Sequence, residues 1–214
     1  LQEKELRTSE LNMLISQINP HFLYNTLDTI NWKALEHDDF EVSNMVGALA
    51  DILRYSIRNP GDMVSIGQEL SWLERYTMLQ KEKLDQPLMI KTEVSEELKG
   101  YRIHKLLLQP FVENAINHGF RRMTKPCCIE ITMKLFGAQL YIRIRDNGCG
   151  MPQELVNELN DKNSSAGDHV GVANVRKRLE LYYGEEHEMY FESREGEGTS
   201  VHLFICAEGG RRAE

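Results

Sequence analysis

The chain has 214 residues, 41% of them apolar and 27% charged, which bounds it to one large or two small domains of soluble, globular character. Twenty-five basic residues against 33 acidic ones leave a formal net charge of −8 and argue against a broad nucleic-acid-binding face. There is no apolar run long enough to span a bilayer and no signal peptide, and the chain starts at Leu1 rather than Met, so it is expected to be a piece of a longer protein with any membrane anchor upstream.

Residues 1 to about 36 are predicted as one long helix. Leu11, Leu14, Ile15, Ile18 and Phe22 keep a helical spacing, and Leu23, Leu27, Ile30 and Ala34 continue a neighbouring stripe. Pro20 inside it removes the bond to the Ser16 carbonyl and sets His21 at a kink. Asn19-Pro20 as an N-cap and first helical residue is the other reading. After the polar break Glu36-His37-Asp38-Asp39, a second helix carries Val42, Met45, Val46, Leu49, Ile52 and Leu53 on one face. Such a hairpin cannot bury both stripes alone; two hairpins from two chains can, as a four-helix bundle, which predicts a homodimer. Asn59-Pro60-Gly61-Asp62 stops the second helix, and a third is predicted from about Gln68 to Leu84 with Leu70, Leu73, Tyr76 and Leu79 inward. Asp85-Gln86-Pro87 breaks the chain, so a helical domain of residues 1–86 and a second domain of residues 87–214 are expected.

Leu88, Ile90, Thr92 and Val94 then alternate as a strand does. Leu106, Leu107, Leu108, Phe111, Val112, Ala115 and Ile116 form a helical apolar stripe suited to lie on a sheet. Pro110 starts or kinks that helix. Two strands, one with Ile129, Ile131, Met133 and Leu135 and one with Leu140, Ile142 and Ile144, turn around Gly137-Ala138-Gln139. A short helix at 152–160, a mobile polar loop at 161–168, a helix from about Val172 to Tyr183 and a hairpin of 187–193 with 199–206 complete the chain. The fold class is α+β: a helical hairpin followed by a two-layer sandwich with a largely antiparallel sheet. Cys127, Cys128, Cys149 and Cys206 lack zinc-site spacing and read as reduced thiols of a cytosolic protein.

Several residues carry chemistry. The polar face of the Pro110 helix offers Glu113, Asn114, Asn117 and His118, which suit oxygen-rich ligands or a metal ion. Asp146 ends a strand and is followed by Asn147-Gly148-Cys149-Gly150, where glycines let a ligand approach the main chain and a carboxylate can accept from an exocyclic amine. A plain Asp-Asn-Gly turn has the same residues. Gly171 opens a helix whose backbone N–H groups suit phosphate. His21, in Gln17-Ile18-Asn19-Pro20-His21-Phe22-Leu23-Tyr24-Asn25, titrates near neutrality and is nucleophilic when neutral.

The Asn-Pro-His-Phe-Leu-Tyr-Asn box and the Leu-Leu-Gln-Pro-Phe-Val-Glu-Asn-Ala run resemble sensor histidine kinases of the LytS/YesM kind, across essentially the whole chain. The Asn114 helix with the glycine turns at 146–150, 171 and 196–198 resembles the ATP-binding domain that histidine kinases share with gyrase, heat-shock chaperones of the ninety-kilodalton class and mismatch-repair ATPases. The resemblance implies a gyrase-type α/β sandwich. It implies that Asp146 reads adenine with Thr199 in support, that Gly148 and Gly150 make room for the base, and that Gly196 and Gly198 form the last glycine turn. It implies that Asn114 holds Mg²⁺ against the ATP phosphates and that His118 packs near the nucleotide, although a surface histidine fits that position equally. Asn117, Asn174 and Arg178 join the expected nucleotide site.

The function implied is ATP-dependent phosphorylation of His21, followed by transfer to an aspartate of a response regulator. Asn25, one turn on from His21, is assigned to orienting water for dephosphorylation of that partner. The parent protein is expected to be anchored in a bacterial membrane with this portion in the cytoplasm.

Four departures from the family stand out. Asn117 replaces a frequent lysine, with Arg121 or Arg122 as substitutes. His169 replaces a glycine. Pro110 stands where gyrase-like ATPases carry a glutamate that activates water, which favours transfer over hydrolysis. Phe22 follows His21 in place of an acidic residue. The alternatives are an ATPase of the same superfamily and a catalytically degenerate dimeric scaffold.

Overall fold

A computed structural model describes residues 20–57, 63–81, 84–121, 123–161 and 170–206. The expected helix upstream of Pro20, its kink and the polar loop with His169 lie outside the described residues. The chain divides into two compact units, residues 1–59 and 60–214.

In the first unit, helices α1 (Pro20–Glu36) and α2 (Phe40–Ile57) pack as a hairpin. The turn forms because Asp38 adopts φ 56° and the Asp39 carboxylate caps α2, accepting from the Val42 amide at 3.1 Å. Ser43 Oγ donates to Asn31 Oδ1 at 2.6 Å across the pair. Leu23, Leu27 and Ala34 turn inward, whereas Phe22, Ile30 and Trp32 are exposed, so the hairpin leaves apolar surface uncovered.

The second unit opens with a strand the sequence did not suggest. Strand β1 (Met63–Ser65) pairs antiparallel with β3 (Arg102–His104). Ser65 then starts helix α3 (Ile66–Gln80) with a capping box: its hydroxyl accepts from the Gln68 amide while the Gln68 side chain accepts from the Ser65 amide. Ile66, Leu70, Trp72 and Leu73 bury the inner face of α3. The compact division therefore falls at 59/60 rather than at Asp85-Gln86-Pro87, because α3 packs with β1 before it and with the Leu98–Gly100 turn and the 106–113 segment after it.

The main sheet has the order β2-β4-β5-β7-β6. Its strands are β2 (Leu88–Glu93), β4 (Cys127–Phe136), β5 (Gln139–Asp146), β6 (Glu188–Arg194) and β7 (Gly198–Cys206). Only β2 with β4 is parallel. Alternation works as predicted at Ile129, Ile131 and Met133 and at Leu140, Ile142 and Ile144, all buried, with Leu135 half-buried at the strand end; Val201, Leu203 and Ile205 of β7 follow the same pattern. Burying each is worth about 1.5–3 kcal/mol. A layer of helices accompanies the sheet: α4 (Gln109–Asn114), α5 (Gln153–Asn160) and α6 (Val170–Tyr183).

The stripe at 106–116 is not all helix. Leu106 has φ 58°, and helix begins only at Gln109, with Pro110 in its first turn where no N–H is required. The amides of Leu106 and Leu108 go instead to the buried Glu69 carboxylate, at 3.0 and 3.3 Å. After Asn114 the helix widens into a π turn, Ala115–Gly119, closed by Phe120 N–H to Ala115 O at 2.8 Å. Among the described residues no helix is long and apolar enough to cross a membrane.

Candidate nucleotide cleft and acceptor histidine

The end of β5 is where the chain crowds together. Asp146 Oδ1 accepts from the Gly148 amide at 2.8 Å and the Thr199 amide at 3.3 Å. Asn147, unremarked in the sequence, clamps the turn from outside by accepting from the Cys128 amide at 2.7 Å and donating to Pro126 O at 2.9 Å. Cys149 N–H reaches Gly119 O at 2.8 Å, and Gly196 N–H reaches Cys149 O at 2.7 Å. The 146–150 turn is thus held between the end of the π turn and the β6–β7 turn.

That crowding explains the glycines. A Cβ on Gly150 would lie 2.0 Å from Arg194 O, and φ is +67° there; one on Gly198 would lie 2.1 Å from Asp146 O. At Gly148 it would lie 2.5 Å from Gly119 O. The space these glycines leave is filled by neighbouring backbone, so their part in the site is to bring three turns together.

A cleft of about 570 Å³ opens beside this junction. Asn114, His118, Asp146, Gly150, Gly171 and Thr199 line it, joining four segments far apart in sequence. Phe111, Asn114, Ala115 and His118 share the cleft face of α4 and its π turn. The apolar walls, including Leu155, Leu159, Phe191 and Val201, were missed by sequence reasoning because they look like core residues. Ser193 was also missed. Its hydroxyl accepts from the Met151 amide at 2.9 Å, donates to Gly198 O at 2.9 Å and lies 2.9 Å from Thr199 Oγ1, which fixes the threonine. A larger groove of about 1080 Å³ runs past Thr92–Gly100 and Met133–Phe136, and none of the expected site residues lines it.

Burial raises the Asp146 carboxyl above its ordinary value, opposed by the Gly148 and Thr199 amides. A partly desolvated acceptor beside apolar walls suits a flat, nitrogen-rich ring with an exocyclic amine, and the cleft is large enough for one.

Gly148 and Gly198 lie in the junction beside the cleft, and three expected side chains lie elsewhere. Asn117 lines a separate cavity of about 400 Å³ with Arg121. Asn174 is exposed on α6. Arg178 donates to the carbonyls of Lys105 and Leu106, at 2.9 and 3.2 Å, so it braces the loop ahead of α4. Arg122 lies outside the described residues.

In the first unit, His21 is exposed on α1, and Asn25 Nδ2 lies 3.2 Å from its Nδ1. Asn and His are one turn apart, the spacing at which helical side chains meet.

A family model described as histidine kinase matches residues 9–88, and one described as histidine kinase-, DNA gyrase B-, and HSP90-like ATPase matches residues 102–209. The chain is 36% identical to the sensor histidine kinase YesM of Bacillus subtilis, over 95% of this chain and 34% of that protein. It is 31% identical to the sensor protein kinase HptS of Staphylococcus aureus, over 93% of this chain and 38% of that one. Among solved structures, it is similar to the histidine kinase domain of a blue-light activated histidine kinase from Erythrobacter litoralis, with a TM-score of 0.50 at 15% identity over 95% of both chains. The catalytic domain of the histidine kinase ThkA matches with a TM-score of 0.51 at 18% identity, over 69% of this chain and 95% of that one. The chain spans about a third of the length of the curated relatives it matches.

Proposed function

The chain belongs to the histidine kinases, its C-terminal half to the histidine kinase-, DNA gyrase B- and HSP90-like ATPases, and from this we propose that it is the catalytic portion of a sensor kinase that transfers the γ-phosphoryl group of ATP to His21. The observation that carries the reading is the meeting of Asn114, Asp146 and Thr199 on one cleft. Asp146 accepts from the adenine amine, Thr199 keeps the carboxylate aimed through its amide, and the apolar walls exclude water from the base. Asn114 would hold Mg²⁺ through its amide oxygen, and the ion would neutralise phosphate charge.

Asn25 holds the acceptor ring: its Nδ2 lies 3.2 Å from His21 Nδ1, one helical turn away, and so couples the orientation of the imidazole to the asparagine amide. The carboxylate next to Asn114 is engaged within the fold: Glu113 Oε1 accepts from Tyr76 OH at 3.0 Å and from Gln109 Nε2 at 2.6 Å. Together with Pro110 in place of glutamate, this favours transfer to a side chain over hydrolysis. The phosphoryl group passes next to an aspartate of a response regulator, and Asn25 takes part in that partner's dephosphorylation. The kinase acts as a homodimer, and its full-length parent is held at the bacterial membrane by segments beyond this chain.

The test is incubation with γ-labelled ATP and Mg²⁺. The wild type is expected to acquire acid-labile, base-stable label that His21→Ala lacks. ATP binding with no label in either protein supports a scaffold instead. Sustained phosphate release from both, without label, supports an ATPase.

A further inference from the structure

Helix α3 is not part of the cleft, yet it grips the element that carries Asn114 at two points. At its start, the fully buried Glu69 accepts from the amides of Leu106 and Leu108, fixing the loop that leads into α4. Two turns later on the same face, Tyr76 OH donates to Glu113 Oε1 at 3.0 Å, and Gln109 Nε2 donates to that same oxygen at 2.6 Å. The Tyr76 ring is itself held, stacked on Trp72 with centroids 5.3 Å apart and planes 13° from parallel. Glu113 directly precedes Asn114, and immediately beyond Asn114 the backbone passes from α to π geometry. A turn at such a transition lacks the regular ladder that fixes rotation about the helix axis. A clamp on Glu113 fixes that rotation, and with it the direction in which the next side chain leaves the helix.

We infer that Tyr76, acting through Glu113, is a positioning residue for Asn114. The inference rests on the reading of Asn114 as the Mg²⁺ ligand of the cleft. Tyr76 touches neither metal nor nucleotide; it holds the group that orients the ligand, and losing such a group typically lowers metal affinity about 10–100-fold. A role confined to the fold would instead weaken nucleotide binding with and without metal alike.

The experiment is calorimetric titration of the 214-residue chain with ATP, in Mg²⁺ and in EDTA, for wild type, Tyr76→Phe, Glu113→Gln and Glu113→Ala. Tyr76→Phe keeps the ring and its stacking and removes one hydroxyl. It is expected to lower affinity about tenfold in Mg²⁺ and to leave affinity in EDTA within about twofold of wild type, since the adenine contacts at Asp146 are untouched. Glu113→Gln keeps an acceptor oxygen for Tyr76 and Gln109 and is expected to retain the metal-dependent gain. Glu113→Ala is expected to match Tyr76→Phe. An unchanged metal-dependent gain in both Tyr76→Phe and Glu113→Ala overturns the positioning role while leaving Asn114 as ligand, as does an equal loss in both buffers. A wild type that gains nothing from Mg²⁺ overturns the metal reading itself, and the positioning role with it.

Discussion

Asp146 shows how a site residue can oppose the stability of its own fold. Burial raises its carboxyl above the ordinary value, so ionising it costs more in the folded chain than in the unfolded one. The folded state is favoured by this group at acid pH and loses that advantage as pH rises from the ordinary carboxylate value through the raised one, beyond which the penalty is fully present. Asp146→Asn keeps an acceptor for the Gly148 and Thr199 amides and removes the charge. Its melting temperature relative to wild type is therefore expected to rise with pH across that window, with the difference shrinking on acidification. The same change puts an N–H₂ where the adenine amine needs an acceptor, and ATP affinity is expected to fall roughly 10–100-fold, the worth of a charge-assisted hydrogen bond. Melting curves across pH and an ATP titration check both halves; undiminished ATP affinity would rule out Asp146 as the adenine acceptor. At this scale the polar residues were legible, because Asn, Asp and Gly clusters announce unusual backbone or ligand needs. Arg178 was misread since a basic residue on a helix does not reveal that it will cap the carbonyls of Lys105 and Leu106.

Among the elements, hairpins and helices followed from alternation and spacing, because those patterns are local. The segments that failed depend on distant partners. The 106–108 run has helical spacing, yet its amides are taken by Glu69, 37 and 39 residues away. Strands β1 and β3 are too short to show a period and exist through each other. The glycine turns were legible as turns, but their closeness to one another was not. That closeness makes an unequal prediction for two glycines of the cleft. Gly150→Ala places a methyl 2.0 Å from the Arg194 carbonyl at positive φ, and the backbone on both sides is anchored. It is expected to destabilise the second unit by more than about 3 kcal/mol. Gly171→Ala meets no atom of the described residues within 4 Å beyond its own helix and is expected to be neutral or to stabilise by up to about 1 kcal/mol. Urea denaturation of the two variants separates them. Equal stability would mean that the 146–150 turn can shift away from the β6–β7 turn, and the close approach described above would not be obligatory.

For the whole molecule, the domain boundary expected at 86/87 follows a local proline break, whereas compactness divides the chain at 59/60. The difference is α3, whose Glu69 and Tyr76 bind it to the segment carrying Asn114. Within the first unit, the hairpin carries exposed apolar surface. Phe22, Trp32 and Phe40 are 66%, 68% and 62% exposed, with Val42 and Leu49 one heptad apart on α2 also exposed. Surface of this kind on two amphipathic helices is best satisfied by a second hairpin across a two-fold axis. If Leu49 lies in that seam, Leu49→Glu removes two buried side chains per dimer, each worth about 1.5–3 kcal/mol, and raises the dissociation constant at least about a hundredfold. Sedimentation at micromolar concentration is expected to show a wild-type dimer and a Leu49→Glu monomer. The cleft belongs to the other compact unit, so ATP affinity is expected to be the same in both. A wild-type monomer at such concentrations would count against the bundle, and a Leu49→Glu dimer would place its seam on another face of the hairpin. Loss of ATP binding together with dimerisation would show that the two units are energetically coupled, contrary to their division into separate cores.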